Sequence, residues 1–164
     1  MIYKEIEGDL IELAKAGHFD VIAHGCNCFC RMKRGIAPQM VKAFGVDKFL
    51  SETTDEGDVD KLGSIDWDHV SVFANKELRV EGRMSVVNAY TQYHWTEPGP
   101  NGIPLDYHAM AMCFAKINAD FKGEHLGIPR IGCGLAGGDW EKVKELINQY
   151  LSDMKQVTVV NLKS

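Results

Sequence analysis

The 164-residue sequence contains no uninterrupted apolar run that approaches the roughly 20 residues of a membrane-spanning helix. Its first ten residues, MIYKEIEGDL, carry charges where a secretory signal peptide has an apolar segment. Internal repeats and low-complexity tracts are lacking as well. These absences predict a cytoplasmic protein that has no membrane partner.

Positive charge is also scarce, since 18 Lys and Arg residues stand against 23 Asp and Glu residues, for a net charge of -5. A broad nucleic-acid-binding face normally needs clustered Lys and Arg, so a nucleic acid partner is not expected. A small anionic ligand is compatible with this charge, because backbone N–H groups and a few local cations can hold one.

The five cysteines do not form the even spacing of a small disulfide-bonded protein. Cys26, Cys28 and Cys30 crowd together, whereas Cys113 and Cys133 lie far away, which favours reduced thiols. The C-x-C-x-C spacing also differs from the C-x₂₋₄-C pairs of structural zinc sites. We therefore predict no disulfide, no metal and no other cofactor.

What the sequence does have is the size and composition of one globular domain, which we predict to span residues 1–164. Hydrophobic residues make up 45% and charged residues 25% of the chain. A chain of this length can bury roughly two-thirds of its unfolded surface, so no covalent or metal staple is needed.

Strand and helix patterns alternate along the chain. Strands are predicted at residues 2–6, 19–24, 62–65, 70–74, 84–90, 125–131 and 157–161. Helices are predicted at 10–16, 36–44, 107–121 and 143–151, the last two from their apolar stripes, and Asp139 is predicted to cap the last one. Loops are predicted at 51–60 and 94–104. This order predicts a three-layer α/β/α fold around a mixed, largely parallel central sheet.

Ligands of such sheets bind at the carboxyl ends of the strands, which directs attention to residues 27–35 and 132–138. The second loop holds four glycines, Gly132, Gly134, Gly137 and Gly138, before the cap Asp139. Glycine lets backbone N–H groups approach a ligand, and the following helix N-terminus favours a phosphate. The alternative is a flexible surface turn. The G-x-G-x-x-G spacing is not a dinucleotide fingerprint, because only one helix and one strand follow it.

The first loop follows a buried strand that ends in two polar residues, His24 and Asn27, and it continues with Arg31, Lys33 and Arg34. Polar side chains at the end of a strand are natural site groups, and the three cations would complement a diphosphate. For His24, a hydrogen-bonded histidine of the core is an equally open interpretation. For each cation, the alternative is a solvated loop side chain.

Taken together, four short motifs resemble those of a macrodomain in their order and spacing. The resemblance extends over essentially the whole chain, and it is strongest to the branch with a terminal ADP-ribose protein glycohydrolase and an ADP-ribose-1''-phosphate phosphatase. Small bacterial and phage macrodomains are similar too. The motifs are Gly8-Asp9-Leu10, His24-Gly25-Cys26-Asn27, Gly35-Ile36-Ala37 and Pro129-Arg130-Ile131-Gly132-Cys133-Gly134-Leu135.

The resemblance implies a site that binds ADP-ribose or a derivative. It places Asp9, with Leu10, at the adenine amino group, Asn27 at the distal ribose and His24 as the proposed catalytic group beside Asn27. It also implies a first phosphate loop and a second one around the diphosphate, while Asn161 stands where many relatives have an aromatic residue beside the base. The loop residues are Gly35, Ile36 and Ala37, then Gly132, Cys133, Gly134, Leu135, Ala136 and Gly137.

Two positions depart from the glycohydrolase pattern. Ala136 replaces its catalytic aspartate, and residues 90–94 contain no lysine. Three hypotheses share the pocket: phosphate removal from ADP-ribose-1''-phosphate, hydrolysis of ADP-ribosyl or O-acetyl-ADP-ribose esters, and non-catalytic binding of ADP-ribose or of an ADP-ribosylated protein. His24 favours the phosphatase, because a histidine of ordinary pKa, ~6.5, suits acid–base work at neutral pH. The missing aspartate and lysine favour the non-catalytic binder.

Overall fold

A computed structural model describes residues 3–49, 55–75 and 80–162 of the chain. The strands are β1 (Tyr3–Glu7), β2 (Val21–Asn27), β3 (Ile65–Asn75), β4 (Val80–Gln92), β5 (His125–Ile128) and β6 (Gln156–Asn161). The helices are α1 (Leu10–Lys15), α2 (Ala37–Phe44), α3 (Tyr107–Asp120) and α4 (Trp140–Tyr150). None of the helices among these described residues is long and apolar enough to cross a membrane.

The six strands form one sheet in the order β1-β6-β5-β2-β4-β3. Strand β3 pairs antiparallel with β4, and the other neighbours are parallel. One hydrophobic core lies between the sheet and the helices α3 and α4, and a second lies between the sheet and the helices α1 and α2. The predicted three-layer α/β/α architecture with a mixed, largely parallel sheet is therefore confirmed.

The central position of β2 explains why its sequence is almost continuously apolar. Val21 and Ala23 point into the core of α3 and α4, and Ile22 and Cys26 point into the core of α1 and α2. A parallel strand that is buried on both faces reads as an apolar run rather than as an alternation. Its carboxyl end is consequently placed in the middle of the sheet edge where the loops open.

Aspartates begin three of the four helices. Asp9, Asp106 and Asp139 each accept hydrogen bonds from backbone N–H groups in the first turn of α1, α3 and α4, respectively. Such a cap satisfies N–H groups that have no partner within the helix. The predicted cap at Asp139 is confirmed, and both loops that precede α1 and α4 are thereby fixed to their helices.

Several predicted boundaries need correction. Residues 62–65 and 70–74 do not form two strands, since the single strand β3 runs from Ile65 to Asn75 and the mostly polar residues 66–69 continue its ladder with β4. Strand β5 ends at Ile128 instead of 131, because Pro129 has no N–H for the ladder. Within the predicted loop 51–60, residues 51–54 lie outside the described residues, and Val59–Lys61 form a short 3₁₀ turn.

Candidate functional site

Two adjoining cavities open at the carboxyl ends of the parallel strands. The first, here called the edge cavity, has a volume of about 390 Å³ and lies beside Asp9 and Asn161. The second, the loop cavity, has a volume of about 380 Å³ and lies between the two glycine-containing loops. Ile36, Pro129 and Arg130 line both, so the two cavities form one continuous cleft.

The cleft brings together most of the residues that the sequence singled out. The edge cavity contains Asp9, Leu10, Ile36 and Asn161. The loop cavity contains Asn27, Gly35, Ile36, Ala37, Gly132, Gly134, Leu135 and Ala136, together with the cations Arg31, Lys33 and Arg34. Cys133 and Gly137 belong to the second loop but do not line either cavity, and Cys133 packs against the core of α3 and α4.

The second loop is shaped by glycines that face the protein interior. A side chain at Gly132 would meet Leu105 at 2.9 Å in a backbone conformation with φ +75°, and one at Gly138 would meet the carbonyl oxygen of Gly132 at 2.6 Å. The N–H of Gly138 donates to that carbonyl over 2.8 Å and closes the loop. Gly134, by contrast, has nothing within 4 Å of the position of a Cβ. The underside of this loop is therefore tightly packed, and Gly134 lies on its open side.

Asp9 has one carboxylate oxygen available at the edge cavity. Its Oδ1 accepts from the N–H groups of Ile11 at 3.0 Å and Glu12 at 3.2 Å. In the part of the chain that the structure describes, no donor lies within hydrogen-bonding distance of Oδ2. The helix cap thus fixes the carboxylate and leaves an acceptor toward a ligand.

Asn27 organises the loop that it begins. Its Oδ1 accepts from the N–H groups of Phe29 at 3.0 Å and Arg31 at 3.2 Å, and its Nδ2 donates to the carbonyl of Arg31 at 2.9 Å. These bonds leave one amide hydrogen for a ligand. Asn27 therefore lines the loop cavity, while most of its hydrogen-bonding capacity holds the backbone of residues 28–31 in place.

His24 does not reach the cleft, which corrects the expectation that it acts on a ligand. Its side chain has no exposed surface, and burial lowers the pKa of the imidazole to about 4 despite a hydrogen bond to Asn88. Nε2 of His24 lies 2.6 Å from Oδ1 of Asn88, whose Nδ2 donates to Val46 and to Asp66. Since Oδ1 of Asn88 accepts, His24 carries a proton on Nε2, and its low pKa leaves the imidazole neutral at pH 7. The structure has a core histidine at this position.

Three exposed cations, Arg31, Lys33 and Arg34, line the loop cavity beside Trp95. The guanidinium of Arg31 lies 4.8 Å from the centroid of the Trp95 ring, which itself stacks on His94 at 3.7 Å. Among the described residues, none of the three cations forms an ion pair with a carboxylate. Trp95 could not be predicted from the sequence, because it falls in an irregular stretch without a periodic pattern.

A second group that sequence reasoning missed surrounds Glu5 on β1. Oε1 of Glu5 accepts from Nε of Arg130 at 3.0 Å and from Nδ2 of Asn161 at 3.1 Å, and it forms an ion pair with Nη2 of Arg130 at 2.9 Å. Its Oε2 accepts from the hydroxyl of Tyr3 at 3.0 Å. Partial burial opposes ionisation of Glu5, but the hydrogen bonds from Asn161, Arg130 and Tyr3 outweigh it and lower the pKa of the carboxyl. Glu5 therefore stays charged and holds two residues of the cleft.

Neither metal ligands nor an activated thiol is found in this cleft. Among the described residues, no group of three or more His, Cys, Asp or Glu side chains is placed to hold a metal ion. Burial raises the pKa of the Cys133 thiol to about 11, the opposite of what a nucleophilic cysteine requires.

Comparison with known proteins agrees with this architecture. No family model matches the sequence. The chain is 38% identical over 169 residues to the uncharacterized 17.5 kDa protein in the tk-vs intergenic region of Enterobacteria phage T4, a match that covers 97% of this chain and 96% of the phage protein.

Among solved structures, the Streptomyces coelicolor macrodomain is 22% identical with a TM-score of 0.66, and 99% of each chain is covered. The Thermosipho africanus DarTG structure, in complex with ADP-ribose, is 16% identical with a TM-score of 0.67 and covers 98% of this chain and 41% of that one. The chain therefore belongs to the same family as the phage T4 protein, and its fold is that of the macrodomains.

Proposed function

We propose that the cleft binds ADP-ribose bearing a phosphate on its distal ribose, and that the protein hydrolyses this ADP-ribose-1''-phosphate to ADP-ribose and phosphate. One observation carries the proposal. A cavity beside Asp9, whose Oδ2 accepts no hydrogen bond from the described residues, adjoins a cavity lined by loop backbone and by Arg31, Lys33 and Arg34, which pair with no carboxylate among those residues. The adenine, diphosphate and terminal phosphate of the ligand match these features in order.

The base end follows from Asp9. Its Oδ2 accepts from the adenine amino group, and the apolar side chains of Leu10, Ile36 and Val160 enclose the ring. The diphosphate then lies between the first loop, at Gly35, and the open side of the second, at Gly134, where N–H groups can approach it without interference from a Cβ.

The positive charge of the three cations exceeds what a diphosphate needs, because the backbone N–H groups of two loops already bind the diphosphate in this proposal. Arg31, Lys33 and Arg34 are exposed and have no carboxylate partner among the described residues. A phosphate on the distal ribose supplies that charge, and an arginine guanidinium binds phosphate through two parallel hydrogen bonds. The cation trio therefore selects a phosphorylated ligand over unmodified ADP-ribose.

Hydrolysis at this site would depend on charge stabilisation rather than on a general base. Water attacks the phosphorus and forms the new phosphorus–oxygen bond while the bond from phosphorus to the oxygen on C1'' breaks. A proton of the attacking water passes to that oxygen, which leaves with ADP-ribose as its hydroxyl. Phosphoryl transfer is accelerated mainly by positioning and by cations that stabilise charge on the phosphoryl oxygens. The trio can supply those cations, and the remaining amide hydrogen of Asn27 can orient the ribose.

A second candidate, a non-catalytic binder of ADP-ribose or of an ADP-ribosylated protein, is favoured by a different observation. Among the described residues that line the loop cavity, none is an aspartate, a glutamate or a histidine. Ala136 lies where the glycohydrolase branch has its aspartate, and His24 is buried elsewhere. A binder needs no such group.

Phosphate release separates the two candidates. The protein is incubated with ADP-ribose-1''-phosphate and free phosphate is measured, alongside calorimetric affinities for that compound and for ADP-ribose. The phosphatase proposal expects release that falls in Arg31→Ala, Lys33→Ala and Arg34→Ala, with Lys48→Ala, outside the cleft, as the matched control. Binding without release over hours at micromolar protein leaves the non-catalytic binder, and the absence of binding to either compound contradicts both.

A further inference from the structure

The contacts of Glu5 indicate a role in selecting the base of the ligand. We propose that Glu5 is a positioning residue that makes the edge cavity prefer adenine over hypoxanthine, an inference that rests on the proposed binding of ADP-ribose. Glu5 does not line either cavity, but it binds Arg130 and Asn161, which do. Its effect on a ligand therefore passes through these two side chains.

The first effect is on Asn161. An amide side chain can present either its oxygen or its NH₂ group, and the two orientations occupy nearly the same space. A carboxylate accepts hydrogen bonds and donates none, so Glu5 requires the Nδ2 of Asn161 on its own side, at 3.1 Å. The carbonyl oxygen is then the group of Asn161 that remains for a ligand. Like Oδ2 of Asp9, it is an acceptor.

The second effect is on Arg130, the strongest donor that lines the edge cavity. Glu5 binds both Nε and Nη2 of this guanidinium, at 3.0 and 2.9 Å, and the guanidinium carbon lies 5.3 Å from the centroid of the Trp140 ring. These contacts withhold two donor groups from the cavity. Gln39, which also lines it, can present either an acceptor or a donor and does not discriminate.

The edge cavity consequently offers hydrogen-bond acceptors at Asp9 and Asn161, while its cation, Arg130, is bound to Glu5. Adenine carries an amino group with two N–H donors, which match two acceptors. Hypoxanthine carries a carbonyl oxygen at the same ring position and a single donor beside it, the hydrogen on N1, so the carbonyl oxygen would face the two acceptors and only one of them could receive a hydrogen bond. Leaving polar groups unpaired in this way discriminates more strongly than removing a favourable contact.

Removing Glu5 changes what the cavity presents. Without the carboxylate, the Asn161 amide can rotate to offer its NH₂ group, and Arg130 can turn its N–H groups toward a carbonyl oxygen on the base. Both changes favour hypoxanthine, so the ratio of the two affinities falls. This ratio does not respond to a general loosening of the site, because the two ligands differ only in that ring substituent and in the hydrogen on the adjoining N1.

The test is calorimetry of ADP-ribose and its hypoxanthine analogue, inosine diphosphate ribose, with the parent protein, Glu5→Ala, Glu5→Gln and the control Glu7→Ala on the same strand. The parent and Glu7→Ala should prefer ADP-ribose by about tenfold or more, as expected for a charge-assisted hydrogen bond. Glu5→Ala should reduce the preference to about twofold. Glu5→Gln, which keeps the size of the side chain, should also reduce it, because its amide can face Asn161 with either group.

Thermal unfolding establishes that each variant is folded. If Glu5→Ala does not fold, the test uses Glu5→Gln instead. An unchanged preference in the folded Glu5 variants overturns the inference while ADP-ribose binding stands. A parent that binds both compounds equally also overturns it and leaves the proposed function in place. A parent that binds neither compound contradicts the proposed function itself, and the inference fails with it.

Discussion

At the scale of single residues, the glycines of the second loop differ in what they tolerate. Gly134→Glu should abolish binding of ADP-ribose, because a carboxylate would occupy the open side of a loop that we propose to hold a diphosphate. The protein should remain folded, since nothing lies within 4 Å of a Cβ at this position. Calorimetry measures the affinity, with Gly134→Ala as the matched control that adds only a methyl group. Unchanged affinity in the folded Glu variant would remove the loop from the site.

His24 should make the protein sensitive to acid. The pKa of this buried imidazole is about 4, below the ordinary ~6.5 of an unfolded chain. Between those values the unfolded state binds a proton at His24 and the native state does not, so the free energy of unfolding falls as the pH is lowered through this window. The slope from one such group is at most about 1.4 kcal/mol per pH unit.

Urea unfolding at pH 7 and pH 5 measures this dependence. The parent should lose more stability between the two pH values than His24→Gln, which has no group that titrates there. Comparison of the two losses cancels the contributions of the other titratable groups. Equal losses in the two proteins would show that His24 is already protonated, or not buried, in the native state.

The chemistry of the histidine side chain alone could not show whether His24 lies in the cleft or in the core. A histidine at the end of an apolar strand is compatible with both a site group and a core group, and the sheet order decides between them. Because β2 is a central strand, with α1 and α2 over one face and α3 and α4 over the other, both of its faces are covered, and His24 faces Asn88 rather than the cleft. That neighbour is 64 positions away in sequence, and no local pattern connects the two residues.

At the scale of elements, the loop that follows β2 depends on Asn27. Asn27→Ala should weaken ADP-ribose binding severalfold or more, because it removes the two accepted bonds and the donated bond that hold residues 28–31. Asn27→Asp is a second variant, whose carboxylate still accepts from Phe29 and Arg31 but loses the donor and adds a negative charge to the cavity of the anionic ligand. Calorimetry should show weaker binding in both variants than in the parent. If Asn27→Ala binds as well as the parent, the loop is held by other contacts.

Secondary-structure elements could be predicted where their apolar residues recur at a regular spacing. The stripes of α3 and α4 follow from apolar residues three and four positions apart, and the start of α4 follows from its capping residue Asp139. Strand β3 could not be predicted as one element, because three of its middle residues, Asp66, Asp68 and His69, are polar. An antiparallel edge strand accommodates such residues through its ladder with β4, and this partner is not visible in the sequence of β3.

At the scale of the whole molecule, the cleft combines residues from both ends of the chain and from its middle. Motifs in order were sufficient to predict the fold and most of the lining residues, because each motif is local. The contacts between motifs were not predictable. Glu5 and Arg130 are separated by 125 positions, and neither residue type indicates the other as its partner.

A ligand that joins these distant segments should stabilise the entire fold. ADP-ribose at about 100 times its Kd should raise the free energy of unfolding by about 2.7 kcal/mol, since it binds the native state alone. Thermal unfolding with and without ADP-ribose checks this, with Gly134→Glu as the control that should not respond. A parent whose melting temperature does not change at saturating ADP-ribose would contradict the proposed cleft.

The order of the strands also has a consequence for the timing of assembly. Strand β1 pairs with β6, and Glu7 stands opposite Asn161 in their register. During synthesis β1 therefore has no partner until β6 has left the ribosome. The central strands β2 and β4 can pair much earlier. The edge cavity, which lies where β1 and β6 end, consequently forms on a nascent chain only after the centre of the sheet, and ligand binding there requires that β6 has emerged.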